Sequence, residues 1–191
     1  MSVSKHQKGK KMELNKEEKE QVEFITDICK EFKPKKVLEI GSGWGISGST
    51  MLSCLPEMHL TTIDPRDDLK EFEARTKIYK DRITKINGRS GENPLNPKYH
   101  SKNFKILEKL TDKFDFIYID GSHDYKDVLY DLTQSLKLIN NGGLIALDDY
   151  FHKDNFGGSY GVNKAVAEVC KLNNLVFKVY PNAHGMVRIN L

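Results

Sequence analysis

The chain has 191 residues, of which 38% are hydrophobic and 30% are charged, and its formal net charge is +3. This length accommodates one α/β domain with a sizeable core and excludes two ordinary domains. No run approaches the roughly 18 to 20 apolar residues of a membrane-spanning helix, and so small a net charge does not by itself indicate a nucleic-acid partner.

The N-terminal residues 1–12 are polar and basic, and no apolar segment follows that would make them a secretory signal. We expect a flexible tail there. The alternative is a basic segment that attracts a phosphate-bearing substrate, and the sequence does not distinguish the two. The cysteines are odd in number and widely spaced, which indicates buried thiols in a reducing compartment, not a disulfide or zinc framework. A cytoplasmic protein is therefore expected. The cysteines are Cys29, Cys54 and Cys170.

One domain is expected over residues 13–191, with an N-terminal helix inside 13–33 and an α/β core over 34–191. Apolar residues recur at helical spacing up to Phe32, and Pro34 follows to end the helix. Short β-rich runs then alternate with helical patterns, and the last two runs are nearly continuously apolar, as is typical of strands covered on both faces. The predicted strands are 36–40, 60–64, 82–87, 114–120 and 144–148.

The end of the chain departs from simple alternation. A helical stripe over 128–139 is expected to stop at Asn141-Gly-Gly143. The last predicted elements are a helix and two strands, at 162–172, 175–180 and 186–190. The turn between these strands is so short that they must be antiparallel, because a parallel pair needs a crossover. The predicted fold is α/β, a Rossmann-like three-layer α/β/α arrangement with a seven-stranded, mostly parallel sheet and a C-terminal antiparallel hairpin.

A glycine-rich turn joins the first predicted strand to a helix predicted over 46–55. Glycines there allow a sharp turn and let a ligand approach the amides at a helix N-terminus. Ile46 occupies the position where the dinucleotide fingerprint would place its third glycine. The segment Val37-Leu-Glu-Ile-Gly-Ser-Gly-Trp-Gly45 resembles motif I of the class I S-adenosylmethionine-dependent methyltransferases. This resemblance implies cofactor contacts from Glu39, Gly41, Ser42, Gly43 and Gly45.

Further cofactor contacts are predicted after the second and third strands. Asp64 ends the second strand about 20 residues beyond the glycine turn, where a carboxylate accepts hydrogen bonds from ribose hydroxyls. The alternative is that Asp64 caps the turn before Pro65. The Asp64 carboxylate indicates a nucleoside cofactor, which could equally be S-adenosylmethionine or NAD. Arg89 and Ser90 follow the third strand, where the resembling family holds the adenine ring.

Acidic residues end the fourth and fifth predicted strands, namely Asp120, Asp148 and Asp149. If these strands are parallel neighbours, the three carboxylates emerge at the same sheet edge as the glycine turn, where open α/β sheets bind ligands. Converging carboxylates repel one another, and a hard divalent cation such as Mg²⁺ removes the conflict. Such a cation would also lower the pKa of an acceptor hydroxyl and hold it in line for methyl transfer.

The segment Ile119-Asp-Gly-Ser-His-Asp-Tyr125, followed by a helix, Gly-Gly and Asp148-Asp-Tyr150, resembles the metal-dependent O-methyltransferases, which include catechol and sugar O-methyltransferases. The resemblance covers about residues 35–161. It implies metal ligands at Asp120, Asp148 and Asp149. It also implies that Asp120 lies near the cofactor and that Asp120 and Asp148 take part in catalysis. Asp149 departs from the catechol type, which has Asn there. A second departure is that a single helix precedes the sheet, so the part that usually shapes the substrate pocket is reduced.

Of four further features near these motifs, three have two interpretations each. His123 is a candidate general base; alternatively it hydrogen-bonds within its loop while Asp124 caps the next helix. His152 is expected to be a solvated loop residue. The loop over 150–161 either closes over a substrate, through Phe151, Phe156 and Tyr160, or only makes the turn into the last helix. Trp44 either covers the ligand or packs against the N-terminal helix.

The sequence thus predicts an S-adenosylmethionine-dependent methyltransferase that methylates a hydroxyl of a small molecule with Mg²⁺. An RNA or protein acceptor on the same fold is the alternative, and nucleic acid is not favoured because no RNA-binding module is recognised. An NAD-dependent oxidoreductase is disfavoured by Ile46 and by the terminal hairpin. The three intact aspartates argue weakly against a binding protein that has no catalytic turnover. No membrane partner is expected, and a homodimer is left open.

Overall fold

The computed structural model describes residues 13–93, 101–151, 161–181 and 184–191. Several predicted features lie outside these ranges: the basic tail of residues 1–12, His152, Phe156 and Tyr160. In the described part of the chain, no helix has both the length and the apolar character that crossing a bilayer requires.

The described residues form helices and strands in nearly regular alternation. The helices are α1 (Lys16–Phe32), α2 (Ile46–Cys54), α3 (Lys70–Thr76), α4 (Ile106–Lys109), α5 (Tyr125–Leu138) and α6 (Val162–Leu172), and a 3₁₀ helix covers Lys77–Arg82. The strands are β1 (Lys36–Ile40), β2 (His59–Asp64), β3 (Ile83–Asn87), β4 (Phe114–Ile119), β5 (Ile139–Leu147), β6 (Phe177–Tyr180) and β7 (Met186–Asn190).

The strands form one seven-stranded sheet in the order β3-β2-β1-β4-β5-β7-β6. The five strands from β3 to β5 are parallel, and β7 pairs antiparallel with both β5 and β6. The predicted fold is therefore confirmed. The chain moves outward in one direction from β1 to β3 and then crosses to β4 on the other side of β1. Open α/β sheets bind ligands at such a reversal, beside the carboxyl ends of the strands.

Side chains alternate across the sheet, so each face has its own core. Leu38, Ile117 and Ile145 belong to the core that contains α4, α5 and α6. Val37 and Phe116 belong to the opposite core, with α1 and α2. This alternation follows from the two-residue period of a strand and produces the three predicted layers.

Helix α1 matches its prediction because both of its ends are marked in the sequence. Asn15 and Glu18 form a reciprocal capping box, in which the Asn15 side chain accepts from the Glu18 amide at 2.9 Å and the Asn15 amide donates to the Glu18 carboxylate at 2.7 Å. Lys33, in left-handed conformation with φ +50°, ends the helix. The buried face ahead of it includes Ile25 and Ile28.

Two predictions need correction. Strand β5 begins at Ile139 instead of residue 144, so the Asn-Gly-Gly segment lies inside the strand. Its pairing with β4 shifts register between Phe114 and Phe116, and Gly142 (φ +75°) lies in the intervening stretch of β5, so glycine makes an irregularity there instead of a helix stop. Cys29 and Cys170 are buried free thiols as expected, but Cys54, the last residue of α2, is exposed.

Candidate active site

A cleft of about 1090 Å³ opens at the carboxyl ends of β1 to β4, the sheet edge that the sequence predicts for the cofactor. The cleft brings together six of the predicted contact residues as lining residues: Gly41, Gly43, Asp64, Arg89, Ser90 and Asp120. Three others, Glu39, Ser42 and Gly45, are not among the lining residues. Trp44 does not line the cleft either and is 54% exposed, so it is not buried against the N-terminal helix.

The glycine turn is held close against strand β4. Gly41 has φ +94°, and a Cβ atom placed on it would lie 2.1 Å from the carbonyl oxygen of Asp120. Gly45 has φ +79°, and its Cβ would lie 2.9 Å from the Cα of Phe72. Both positions require glycine, because a side chain would clash and because L-residues disfavour this backbone region. The turn thereby places its backbone at the cleft.

Asp64 holds the glycine turn in place and also caps the next turn. Its Oδ2 accepts hydrogen bonds from the amides of Ser42 at 3.1 Å and Gly43 at 3.3 Å, and its Oδ1 accepts from the Arg66 amide at 2.9 Å. The Arg66 guanidinium donates to both carboxylate oxygens, with Nε–Oδ1 2.9 Å and Nη2–Oδ2 2.7 Å. Burial raises the pKa of Asp64, but these contacts from Arg66 outweigh it, and the pKa is lowered overall. Ribose binding at Asp64 would therefore compete with Arg66, a residue that the sequence analysis did not single out.

Glu39 lies beneath the turn and outside the cleft. It is fully buried, and it accepts hydrogen bonds from Ser47 Oγ at 2.5 Å and Thr62 Oγ1 at 2.7 Å. The hydroxyls of Thr62 and Ser42 lie 2.6 Å apart, which continues this buried network into the glycine turn. Glu39 contacts no lining position directly through these bonds. Any effect of Glu39 on the cofactor is transmitted through the turn.

Burial raises the pKa of Glu39 from 4.5 to about 7 despite the hydrogen bonds from Ser47 and Thr62. The folded chain therefore holds a proton between these pH values that the unfolded chain has lost, and stability falls as pH rises through this window. The expected loss is about 3 kcal/mol, at roughly 1.36 kcal/mol per pKa unit. Glu39→Gln should remove this part of the pH dependence, measured by urea unfolding between pH 4.5 and 8. Glu57→Gln, at an exposed site, is the control, and equal slopes for wild type and Glu39→Gln would contradict the assignment.

The loop after β3 is supported from helix α5. Asp131 is buried, and its carboxylate accepts a hydrogen bond from the Ser90 side chain. Its Oδ1 has no hydrogen-bond partner among the described residues. Burial raises the pKa of Asp131 to about 7. Asp131 was not singled out from the sequence, because a single polar residue in an amphipathic helix carries no signal of this contact.

A second, smaller cavity of about 190 Å³ lies between α1 and the carboxyl ends of β4 and β5. Its walls are strongly acidic and are formed by Glu17, Glu18, Glu20, Gln21, Asp120, Asp148, Asp149, His184 and Met186. Asp120 is the one described residue that lines both this acidic cavity and the cofactor cleft. The three aspartates predicted from the sequence thus surround one cavity that adjoins the cleft.

Asp149 lies between two histidines. Its Oδ2 is 2.8 Å from His123 Nε2, and its Oδ1 is 3.0 Å from His184 Nδ1. The other ring nitrogen of His184 is 3.0 Å from the Glu17 carboxylate. Asp149 has φ +64°, a left-handed conformation that Asp tolerates better than most residues. His184 was not predicted as a site residue, because its segment was interpreted only as the turn of the terminal hairpin.

The hairpin is held at the site by backbone hydrogen bonds. The Tyr150 amide donates to the Gly185 carbonyl at 2.9 Å, and the Phe151 amide donates to the His184 carbonyl at 2.6 Å. His123 lies on the loop before α5, and Asp124 is the N-cap of that helix but makes no side-chain capping bond. Asp124 therefore occupies the N-cap position that one of the two interpretations gave it, without the side-chain bond of a cap. Burial lowers the pKa of His123, but the hydrogen bond and charge of Asp149 outweigh it and raise the pKa overall.

The neighbouring carboxylates act on the pKa values of two of the three aspartates. The pKa of Asp120 is raised well above its ordinary value by burial and by the charges of Asp148, Asp149 and Glu39. Burial and Asp149 also raise the pKa of Asp148. On the other side of the cavity, the Gln21 carboxamide nitrogen lies 3.0 Å from both Asp120 Oδ2 and Asp148 Oδ2. A cation would relieve the same repulsion.

The donor atoms in and beside this cavity suit a hard divalent cation, where His123 contacts the lining residue Asp149 without lining the cavity itself. Among the described residues, the ligand atoms of Asp120, His123 and Asp149 lie within 4.8 Å of one another. Asp148 is linked to Asp120 through Gln21 instead. Carboxylate oxygens and an imidazole nitrogen are ligands that Mg²⁺ or Mn²⁺ accepts. The closest group therefore contains two of the three predicted ligands, with His123 in the place expected for Asp148.

The sequence of this chain is similar to a known family and to known proteins. The family model described as "Methyltransferase domain" matches residues 38–150. An uncharacterized protein of Acanthamoeba polyphaga mimivirus is 31% identical over 166 residues, which cover 81% of this chain and 72% of that protein. The "Probable caffeoyl-CoA O-methyltransferase 3" of Dictyostelium discoideum is 32% identical over 68% of this chain, and the match spans about half of that relative, 49%.

Solved structures share the fold. An O-methyltransferase from Bacillus cereus in complex with S-adenosylhomocysteine has a TM-score of 0.70 at 15% identity, covering 90% of this chain and 80% of that one. An O-methyltransferase from Streptomyces achromogenes involved in tomaymycin synthesis, in complex with S-adenosylmethionine, has a TM-score of 0.68 at 17% identity, covering 90% and 79%. At these identities the likeness concerns the fold.

Proposed function

This chain belongs to the family of class I S-adenosylmethionine-dependent methyltransferases, and from that premise we propose that it methylates a hydroxyl oxygen of a small molecule with the help of a divalent cation. The observation that carries the proposal is the position of Asp120, which lines both the cofactor cleft and the acidic cavity. An acceptor in the acidic cavity would therefore lie beside a methyl donor in the cleft, as in-line transfer requires.

The side chains around the acidic cavity have complementary parts in this reaction. Asp120, Asp148 and Asp149 would hold the cation, which when bound lowers the pKa of an acceptor hydroxyl. The hydroxyl oxygen bonds to the methyl carbon as the carbon–sulfur bond breaks, leaving S-adenosylhomocysteine. The hydroxyl proton passes to His123, which lies beside the cavity, 2.8 Å from the lining residue Asp149, and whose charged form Asp149 stabilises.

A small acceptor is supported by the size of the acidic cavity, about 190 Å³, and by its negative walls. A polyanion such as RNA would be repelled by six acidic lining residues. The named Dictyostelium and Streptomyces proteins are associated with caffeoyl-CoA and tomaymycin, which are also small molecules. Two buried free thiols, Cys29 and Cys170, suit a reducing compartment, so we also propose a cytoplasmic location.

The test is a screen of hydroxylated small molecules with methyl-labelled S-adenosylmethionine and Mg²⁺, followed by mass spectrometry. We expect label on an acceptor oxygen, its loss with excess chelator, and its recovery when Mg²⁺ is restored. Asp148→Asn should reproduce the effect of the chelator. Binding of S-adenosylhomocysteine, measured by calorimetry, should survive chelation because Asp120 is the one proposed cation ligand among the residues that line the cleft.

Each outcome bears on a separate part of the proposal. Full transfer in excess chelator would reject the cation while leaving the methyltransferase in place. Label on a nitrogen or carbon would reject O-methylation. A gel shift with RNA that weakens with salt, together with label on RNA, would replace the small-molecule acceptor.

A further inference from the structure

Helix α1 places the side chain of Gln21 in the middle of the acidic cavity. Its carboxamide nitrogen lies 3.0 Å from each of three oxygens: Tyr118 Oη, Asp120 Oδ2 and Asp148 Oδ2. The Tyr118 hydroxyl also donates to Asp148 Oδ2 at 3.2 Å. Two carboxylates from neighbouring strands thus converge on one atom of a neutral side chain.

A cation at this point would face the carboxylates of both Asp120 and Asp148. The carboxamide nitrogen now supplies the positive ends of N–H dipoles to both carboxylates, at 3.0 Å from Asp120 Oδ2 and from Asp148 Oδ2. A divalent cation would do the same more strongly. It could not share the point with N–H donors, so the Gln21 side chain must respond when a cation binds.

We propose that Gln21 is a ligand of the divalent cation, supplying its neutral amide oxygen from helix α1. The proposal rests on the cation of the proposed function. The oxygen and nitrogen of a carboxamide have nearly the same shape, so half a turn about the last side-chain bond brings Oε1 to the position of Nε2. The oxygen then faces Asp120 and Asp148, and the Tyr118 hydroxyl at that position can donate to it.

The surroundings of Asp149 support this assignment. Both carboxylate oxygens of Asp149 already contact histidines, at 2.8 Å from His123 and 3.0 Å from His184. An amide oxygen from Gln21 would add a neutral ligand to the set, and it would come from a different element. A mixed set of carboxylates and amide is ordinary chemistry for Mg²⁺ or Mn²⁺.

Cation binding would then also hold helix α1 in position at the wall of the acidic cavity. The first turns of α1 contribute Glu17, Glu18 and Glu20 to this cavity. Since Gln21 lies on the same helix, a bond from its carboxamide to the cation ties these side chains to the carboxyl ends of β4 and β5. The single helix ahead of the sheet thereby takes part in the site itself.

The experiment is a calorimetric titration of the full chain with Mn²⁺, with thermal melting in the absence of metal. Gln21→Met keeps the length but removes the oxygen, and it should weaken Mn²⁺ binding by about tenfold or more, since even the loss of an outer-shell partner costs 10- to 100-fold. Gln21→Glu keeps an oxygen and adds a charge. It should bind Mn²⁺ at least as tightly as wild type while melting at a lower temperature without metal, because a further carboxylate then faces Asp120 and Asp148.

Gln134→Met on α5 is the matched control and should not alter Mn²⁺ affinity. Unchanged binding of S-adenosylhomocysteine by Gln21→Met would establish that this variant is folded. Equal or tighter Mn²⁺ binding by Gln21→Met would overturn the proposal, since Gln21 would then only compete with the metal. Weaker binding by Gln21→Glu would overturn it as well. If wild type itself binds no Mn²⁺, the cation of the proposed function fails, and this inference fails with it.

Discussion

Replacing Asp120 by asparagine is expected to lower the rate of methyl transfer by about 10²- to 10⁴-fold, the range typical of losing a group that activates the reacting oxygen. Asp120 lines both cavities, and its carboxylate faces Asp148 across the Gln21 carboxamide. Asparagine keeps the shape of the side chain and removes its charge. The same substitution should raise the melting temperature of the metal-free protein, because burial and three neighbouring carboxylates disfavour a charge at Asp120.

The measurement is kcat with S-adenosylmethionine, Mg²⁺ and the acceptor found in the screen, alongside thermal melting. Asp112→Asn, which removes an exposed carboxylate just before β4, should change neither quantity appreciably. A rate for Asp120→Asn within a fewfold of wild type would reject the role of Asp120. A fall in melting temperature would instead indicate that the Asp120 charge stabilises the fold.

Replacing Gly41 by alanine is expected to destabilise the fold by about 2–5 kcal/mol, from a left-handed backbone penalty and an overpacking penalty together. The added Cβ would lie 2.1 Å from the Asp120 carbonyl oxygen, and the backbone has φ +94°. Since Gly41 lines the cofactor cleft, the shift that relieves this clash should also abolish binding of S-adenosylhomocysteine.

The variant Gly142→Ala separates the backbone penalty from the overpacking penalty. Gly142 has φ +75°, but no atom lies within 4 Å of its Cβ position, so only the backbone penalty of about 1–2 kcal/mol is expected. Urea unfolding measures both variants, and calorimetry measures cofactor binding. Equal destabilisation of the two variants would contradict the close packing of the glycine turn against β4.

The fold was predictable because its signals are local. Strand β1 and helices α1 and α6 begin and end where patterns of apolar residues and capping residues place them, and β7 is antiparallel because its connection to β6 is short. Helical patterns were predicted between the strands, but no bounds were predicted for the short helices α3 and α4, because few apolar residues mark so short a segment. The prediction for β5 was wrong at its start, because Gly142 serves an irregular pairing that local sequence does not distinguish from a helix stop.

The glycine turn and the acidic strand ends were determined by the sequence alone, because parallel strands bring their carboxyl ends to one edge whatever the details of packing. Tertiary structure decided how these residues are used. It buries Glu39 under the turn, brings Asp64 to the backbone amides of the turn, and holds Asp149 between two histidines. Gln21 and His184 reach the acidic cavity from opposite ends of the chain. Contacts between residues so far apart depend on the packing of α1 and of the terminal hairpin against the sheet, and no local pattern records them.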